Sequence, residues 1–173
     1  MQLTRDLYVP LIDTSKGTGA AKWVPIDLST QFELSYNPNT ETKSYICYKA
    51  DYTVVTGYAP ELPQEIVLDN TNPLYKFMDE FLNSFPVGSA AEIPFLFVRP
   101  DLTSGKPTVG LMWQHAVVTG DSLNTVDGVL SFTIALNGDP VSGTVTGIGT
   151  ESVTFTAGAS RKQSSGTGKA VKA

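Results

Sequence analysis

The residues equipped for chemistry in this chain are few and far apart. His115 is the single histidine, and any general base or imidazole-based metal site would be built around it. It runs in phase with Val109, Leu111, Trp113 and Val117, the more apolar side of a strand-like stretch. That phase favours a hydrogen-bonded core or interface histidine over a catalyst. A metal site would have to recruit scattered carboxylates around that one imidazole. Cys47, the single cysteine, alternates with Tyr45 and has no basic helix end near it in sequence, the pattern of a buried, inert thiol. Two glycine-rich stretches have the composition of a phosphate cradle. Gly17-Thr18-Gly19-Ala20-Ala21-Lys22 follows no predicted strand and opens no helix. Gly166-Thr167-Gly168-Lys169 is followed by Ala170 where a phosphate loop needs Ser or Thr, and Gln163 stands where its first glycine belongs. Both read as flexible segments. No catalytic residue, cofactor or metal is expected, which points to a non-enzymatic structural or binding role.

These residues need elements to hold them, and the periodicity supplies β-strands. Phe32, Leu34 and Tyr36 alternate with Gln31, Glu33 and Ser35, the period of a half-buried strand, which Asn37-Pro38-Asn39 ends. Residues 43–48 and 52–58, joined by Lys49-Ala50-Asp51, predict a hairpin. A short run over 65–68 leads to one strongly signalled helix. Asn72 can cap it, and Pro73 stands where a missing backbone donor costs nothing. Leu74, Phe77, Met78, Phe81, Leu82 and Phe85 form its apolar stripe, with Phe77 and Phe81 as the expected anchors on a sheet. Pro86 and Gly88 end it. Further strands are predicted over 93–99, 109–118, 129–136, 141–145 and 153–156, separated by glycine-bearing turns such as Asp127-Gly128 and Asn137-Gly138-Asp139-Pro140. Phe95-Leu96-Phe97-Val98 is apolar on both faces and belongs between layers. Leu130, Phe132, Ile134 and Leu136 alternate with Ser131, Thr133 and Ala135, so one face of that strand meets water or a partner.

Composition bounds what such elements build. The chain has 173 residues, 41% hydrophobic and 17% charged, enough for one well-buried core and too few for two ordinary ones. The net charge of −5 hides an asymmetry: residues 160–173 carry Arg161, Lys162, Lys169 and Lys172 and no acid, leaving the rest at −9. An acidic body disfavours tight binding of a nucleic-acid backbone, and a basic tail can touch nucleic acid or neutralise an acidic neighbour. One cysteine excludes an intrachain disulfide framework. No apolar run approaches membrane-spanning length, and Asp6 and Pro10 interrupt the start where a signal peptide needs an apolar stretch, so folding in a reducing cytoplasm is expected.

The expected fold is mainly β: an antiparallel sandwich or partly open barrel with one flanking α-helix. Residues 1–24, with a short apolar patch at Leu7, Val9, Leu11 and Ile12 before a Gly/Ser/Thr run, are expected to form an N-terminal arm. Residues 25–157 are expected to form the β domain and 158–173 a flexible basic tail.

Residues 32–46, FELSYNPNTETKSYI, followed by Val55-Thr56-Gly57-Tyr58-Ala59-Pro60, closely resemble the tail tube proteins of long non-contractile-tailed bacteriophages. Asn72-Pro73-Leu74-Tyr75-Lys76-Phe77 is similar to the start of that family's helix, Val87-Gly88 to its exit, and residues 132–144, FTIALNGDPVSGT, to its closing hairpin. The resemblance spans residues 26–146. Too little sequence follows it for the immunoglobulin-like domain some relatives append, so no decoration role is expected. The resemblance implies hexameric rings stacked around a tape-measure protein, with terminator and tip proteins as further partners, in a virion tail assembled in the host cytoplasm. It also implies an inner barrel that conducts double-stranded DNA without binding it specifically, and no membrane partner. It places a long hairpin where Lys49, Ala50, Asp51 and Tyr52 fall, making them the ring-stacking candidates. The acidic body makes Glu33, Glu41, Asp51 and Glu65 candidates for a negatively charged bore. The alternative is a surface- or carbohydrate-binding β-sandwich module using Trp23, Trp113 and the tyrosines as a stacking platform.

Overall fold

Residues 3–150 and 152–158 are described by a computed structural model. Among them the chain forms β1 (Val9–Asp13), β2 (Trp23–Pro25), β3 (Pro38–Lys43), β4 (Tyr52–Tyr58), β5 (Glu61–Val67), α1 (Pro73–Asn83), β6 (Glu92–Pro100), β7 (Pro107–Asn124), β8 (Val129–Asn137), β9 (Val141–Thr146) and β10 (Thr154–Ala157). Eight strands join one antiparallel sheet in the order β10-β9-β7-β6-β1-β2, with β8 between β7 and β5. The sheet curls into a half-barrel. β7 makes this possible: its first part pairs with β9 and its second with β8, so one long strand serves two neighbours on the same edge.

The mainly β fold with one helix is the one the sequence predicts, and β6 is its spine. Phe95 faces the larger core, where Ile12, Ile66, Leu74, Met78, Phe81, Phe132 and Ile134 pack under α1. Leu96 and Val98 face a second core with Leu11 and Val145. Asn72 caps the helix by accepting from the Leu74 N–H at 2.7 Å, and its side-chain amide donates to Asp27 at 3.1 Å. Phe81 is buried and stacks on half-buried Phe77, with ring centroids 5.9 Å apart. Phe85 leaves the stripe. Just past the helix its backbone is left-handed (φ 48°), which turns the ring out to 84% exposure.

Several expectations are corrected. The stretch 1–24 is not an arm throughout: β1 pairs with β2 and β6, and Leu11 and Ile12 are buried on opposite faces. The Gly17 run is an organised turn, as described below. The strand predicted over 31–36 is not a regular strand: the segment meets the outer edge of β5 through isolated bridges at Ser29–Ile66 and Ser35–Glu61. The hairpin's first strand is β3, so Asn37-Pro38-Asn39 opens a strand instead of ending one, and 44–51 is all turn. β7 runs six residues past the predicted end at Val118, through polar Thr119 to Asn124, because β8 pairs with it there. Gly120 lies in that extension, where an added Cβ would stand 3.2 Å from Leu82 of the helix. The basic tail from residue 159 and the Gly166 stretch lie outside the described residues.

Candidate assembly surface

Among the described residues β3 and β4 pair only with each other, as a small sheet separate from the main one. Every residue of the two strands is exposed except half-buried Gly57, so the hairpin packs neither face on the body. Cross-strand bonds hold it: the Thr42 and Thr53 hydroxyls are 3.1 Å apart, and Thr56 donates to the Asn39 carbonyl at 3.1 Å. Strands of this length extend about 20 Å. The tip is itself ordered. The Tyr48 N–H donates to the Tyr45 carbonyl at 3.0 Å, and the two rings meet edge-on at 6.3 Å. The Ser44 hydroxyl donates to the Asp51 carboxylate. Tyr45, Ile46, Tyr48 and Tyr52 are exposed there, and Tyr36, Val54, Val55 and Tyr58 along the stem. Tyr45, Tyr48 and Tyr52 adjoin one another at the tip, and an exposed aromatic cluster of this kind is a candidate interaction surface.

At the hairpin's base a groove of about 930 Å³ opens between the stem and the sheet. Tyr36 and Tyr58 line one side, and Phe32 and Tyr8, both stacked on Phe97, line another. Trp113, only 6% exposed, also lines the groove, and its indole N–H has no hydrogen-bond partner among the described residues. Arg99, Leu102 and Asp139 stand along it. Next to Leu102, Asp101 accepts from the Thr103 N–H at 3.1 Å and the Ser104 hydroxyl at 3.0 Å. Those bonds, the Thr103 bond first, hold its carboxyl below the ordinary aspartate range.

The ring-stacking candidates Lys49, Ala50, Asp51 and Tyr52 all lie at the hairpin tip and are exposed. The four bore candidates fall into two pairs. Glu41, 3.5 Å from Lys43, and Asp51 belong to the hairpin. Glu33 is exposed on the segment beside β5, and Glu65 on β5 accepts from the Thr30 hydroxyl at 3.2 Å. His115 is exposed, not on the buried face. The β6–β7 register slips between Ile93 and Phe95, so burial changes phase from Trp113 to Ala116 and Val118. The imidazole Nδ1 instead lies 2.7 Å from the Glu92 carboxylate on the neighbouring strand. Cys47 is likewise exposed, in the tip. Trp23 is half-buried against the second core and Trp113 is buried, so the two tryptophans do not form an exposed platform.

No protein-family model matches the sequence, and no curated protein matches it significantly. Solved structures do overlap it in part. A sheath/tube terminator of an extracellular contractile injection system is 7% identical, covering 82% of this chain and 96% of that one at a TM-score of 0.49. The tube-terminating cap of the anti-feeding prophage is 12% identical over 91% and 93% of the two chains, at a TM-score of 0.48. A chain of the anti-feeding prophage baseplate is 12% identical over 78% and 89%, at 0.41.

Asp13 carries a second ordered feature that sequence reasoning missed. It is 1% exposed, and its carboxylate accepts from the Ser15 N–H (2.9 Å), the Ser15 hydroxyl (2.7 Å), the Gly17 N–H (3.2 Å) and the Lys22 N–H (2.8 Å). The Gly17 turn is thus built around a buried anion of its own chain. Lys16 at its crest lies over the rings of Phe77 and Phe81, at 5.7 and 5.2 Å, tying the turn to the helix. The available signal was an aspartate directly before a Ser/Thr/Gly run, which favours side-chain-to-backbone turns.

Proposed function

We propose that this chain is a structural, non-enzymatic subunit of a tail tube, assembling as hexameric rings that stack through the β3–β4 hairpin. The observation that carries this is the hairpin itself: a two-stranded ribbon with aromatic residues at its tip that nothing among the described residues covers. An isolated two-stranded hairpin is marginal in water, so covering by another chain accounts for its composition. The ordered resemblance of residues 26–146 to tail tube proteins supplies the class of assembly. Short outer strands β2 and β10 leave sheet edges that neighbours in a ring can pair with.

In this reading a tape-measure protein, a terminator and tip proteins are the further partners, and DNA passes through the bore unbound. Glu41 and Asp51 stand on the hairpin, which leaves Glu33 and Glu65 as the carboxylates proposed for the bore wall. At physiological salt such charges act within about 8 Å, as a repulsive lining and not a long-range field.

The test is sedimentation and negative-stain microscopy of the purified chain across concentration and ionic strength. Hexameric rings and tubes are the expected result. A strictly monomeric species throughout, with no tubes in purified particles, refutes the proposal, and rings that never stack refute the tube. For the bore, Glu33→Lys with Glu65→Lys should leave tubes intact and slow DNA release; unchanged release removes the electrostatic role.

A further inference from the structure

We propose that the groove at the hairpin's base is the receptor for the hairpin tip of a second copy of this chain, so that every copy both inserts a tip and receives one. This rests on the tube-subunit reading above and adds where on the neighbour the tip lands. Two apolar surfaces lack partners among the described residues: the tip with Tyr45, Ile46 and Tyr48, and the groove with Phe32, Phe97 and Trp113. The paired stem, about 20 Å long, begins at Pro38 and Tyr58, with Tyr58 on the groove's own wall, and carries the tip away from it. A copy therefore cannot fill its own groove without breaking the β3–β4 ladder. A neighbour's tip can.

Charge sets the partner and its orientation. The tip carries Lys49 and Asp51, and the groove carries Arg99 and Asp139, all four exposed. One docking orientation sets Asp51 against Arg99 and Lys49 against Asp139, while the reverse sets like charges together and is disfavoured. The groove's volume of about 930 Å³ holds several large side chains. The tip's internal hydrogen bond and edge-on tyrosine pair mean that little ordering is needed on docking. A contact between two different patches of the same chain is head-to-tail and does not close on itself in a pair, which is the geometry of stacking.

Cys47 provides the test, because it already stands in the tip. Leu102, 86% exposed along the groove, offers the second position. Full-length wild-type chain is mixed with the Cys47→Ser/Leu102→Cys variant under assembling conditions and treated with a short bismaleimide. A cross-linked dimer that forms in the mixture, well above either protein alone, is expected. A Cys47→Ser/Val126→Cys partner, whose position is 91% exposed in the β7–β8 turn, should give none. Asp51→Arg and Arg99→Asp should each weaken self-association by roughly threefold, and the two together should restore it. No dimer in the mixture while tubes still form overturns the receptor and leaves the tube reading standing. A double variant no better than the singles overturns the docking orientation. Absence of any self-association overturns both readings.

Discussion

β8 and β4 are written in the same alternating alphabet and end in opposite environments. In β8, Leu130, Phe132, Ile134 and Leu136 are buried one after another. In β4, Tyr52, Val54 and Tyr58 keep the same period and are exposed. β8 has a strand on each side and shares its core with the helix residues Leu74, Met78 and Phe81, whereas β4 has β3 and, among the described residues, nothing above it. A period of two states which side chains share a face; whether that face is covered depends on what arrives from elsewhere in the chain. Each large side chain buried is worth about 1.5–3 kcal/mol, and the exposed hairpin residues collect none of this among the described residues. The body carries the buried core, and in the proposed assembly the hairpin is completed by another molecule.

Breaking the body should therefore show in stability, and breaking the hairpin only in assembly. The largest effect is expected from Phe81→Ala, which opens the core under α1 and should cost about 3–5 kcal/mol in chemical denaturation. A loss below about 1 kcal/mol would mean that the helix is not anchored there. Asp13→Ala should follow, at about 1–3 kcal/mol, because it removes the one acceptor that the part-buried N–H groups of Ser15, Gly17 and Lys22 share; limited proteolysis should then cut within residues 14–22, and an uncut turn argues against the Asp13 anchor. Replacing residues 44–51 by Asn-Gly keeps the Lys43–Tyr52 pair and suits a two-residue hairpin turn. It should move body stability by less than about 0.5 kcal/mol while abolishing tube elongation, and wild-type tube length would separate the tip from stacking. The smallest effect concerns Asp101. Its carboxyl is held below the ordinary range, so its contribution is present above the unfolded aspartate value near about 3.9 and disappears as pH falls through the lower folded value. Amide shifts of Thr103 should move only under that acidification; movement near neutral pH would contradict it.

Much of the body is legible in sequence because its signals are local. The Asn72-Pro73 helix start, the two-sided apolar run in β6 and the glycine turns before β8 and β9 each depend on residues within a few positions of one another. The predicted hairpin exists, but its limits shift, since Asn37-Pro38-Asn39 has the composition of a stop and only pairing with β4 reveals it as strand. Phase points to a core or interface position for His115 and, with no basic helix end nearby, to a buried thiol for Cys47. A register slip opposite β6 exposes His115, and a turn that begins five residues earlier than predicted, at Ser44, exposes Cys47. The groove has no signature in sequence, because Tyr8, Phe32, Tyr58, Phe97 and Trp113 come from five separate segments.

The sequence by itself therefore determined the class of fold, the helix and its cap, the two-faced centre of the sheet and the site of the hairpin, all of which follow from side-chain period and backbone chemistry over short spans. Only the tertiary structure decided that residues 9–13 enter the sheet, that Asp13 is buried as the centre of a turn, that His115 meets Glu92, and that the hairpin stands uncovered beside an aromatic groove. These outcomes depend on which distant strands pair and where their register slips. A strand's own residues set its preference, but its neighbours set its surroundings.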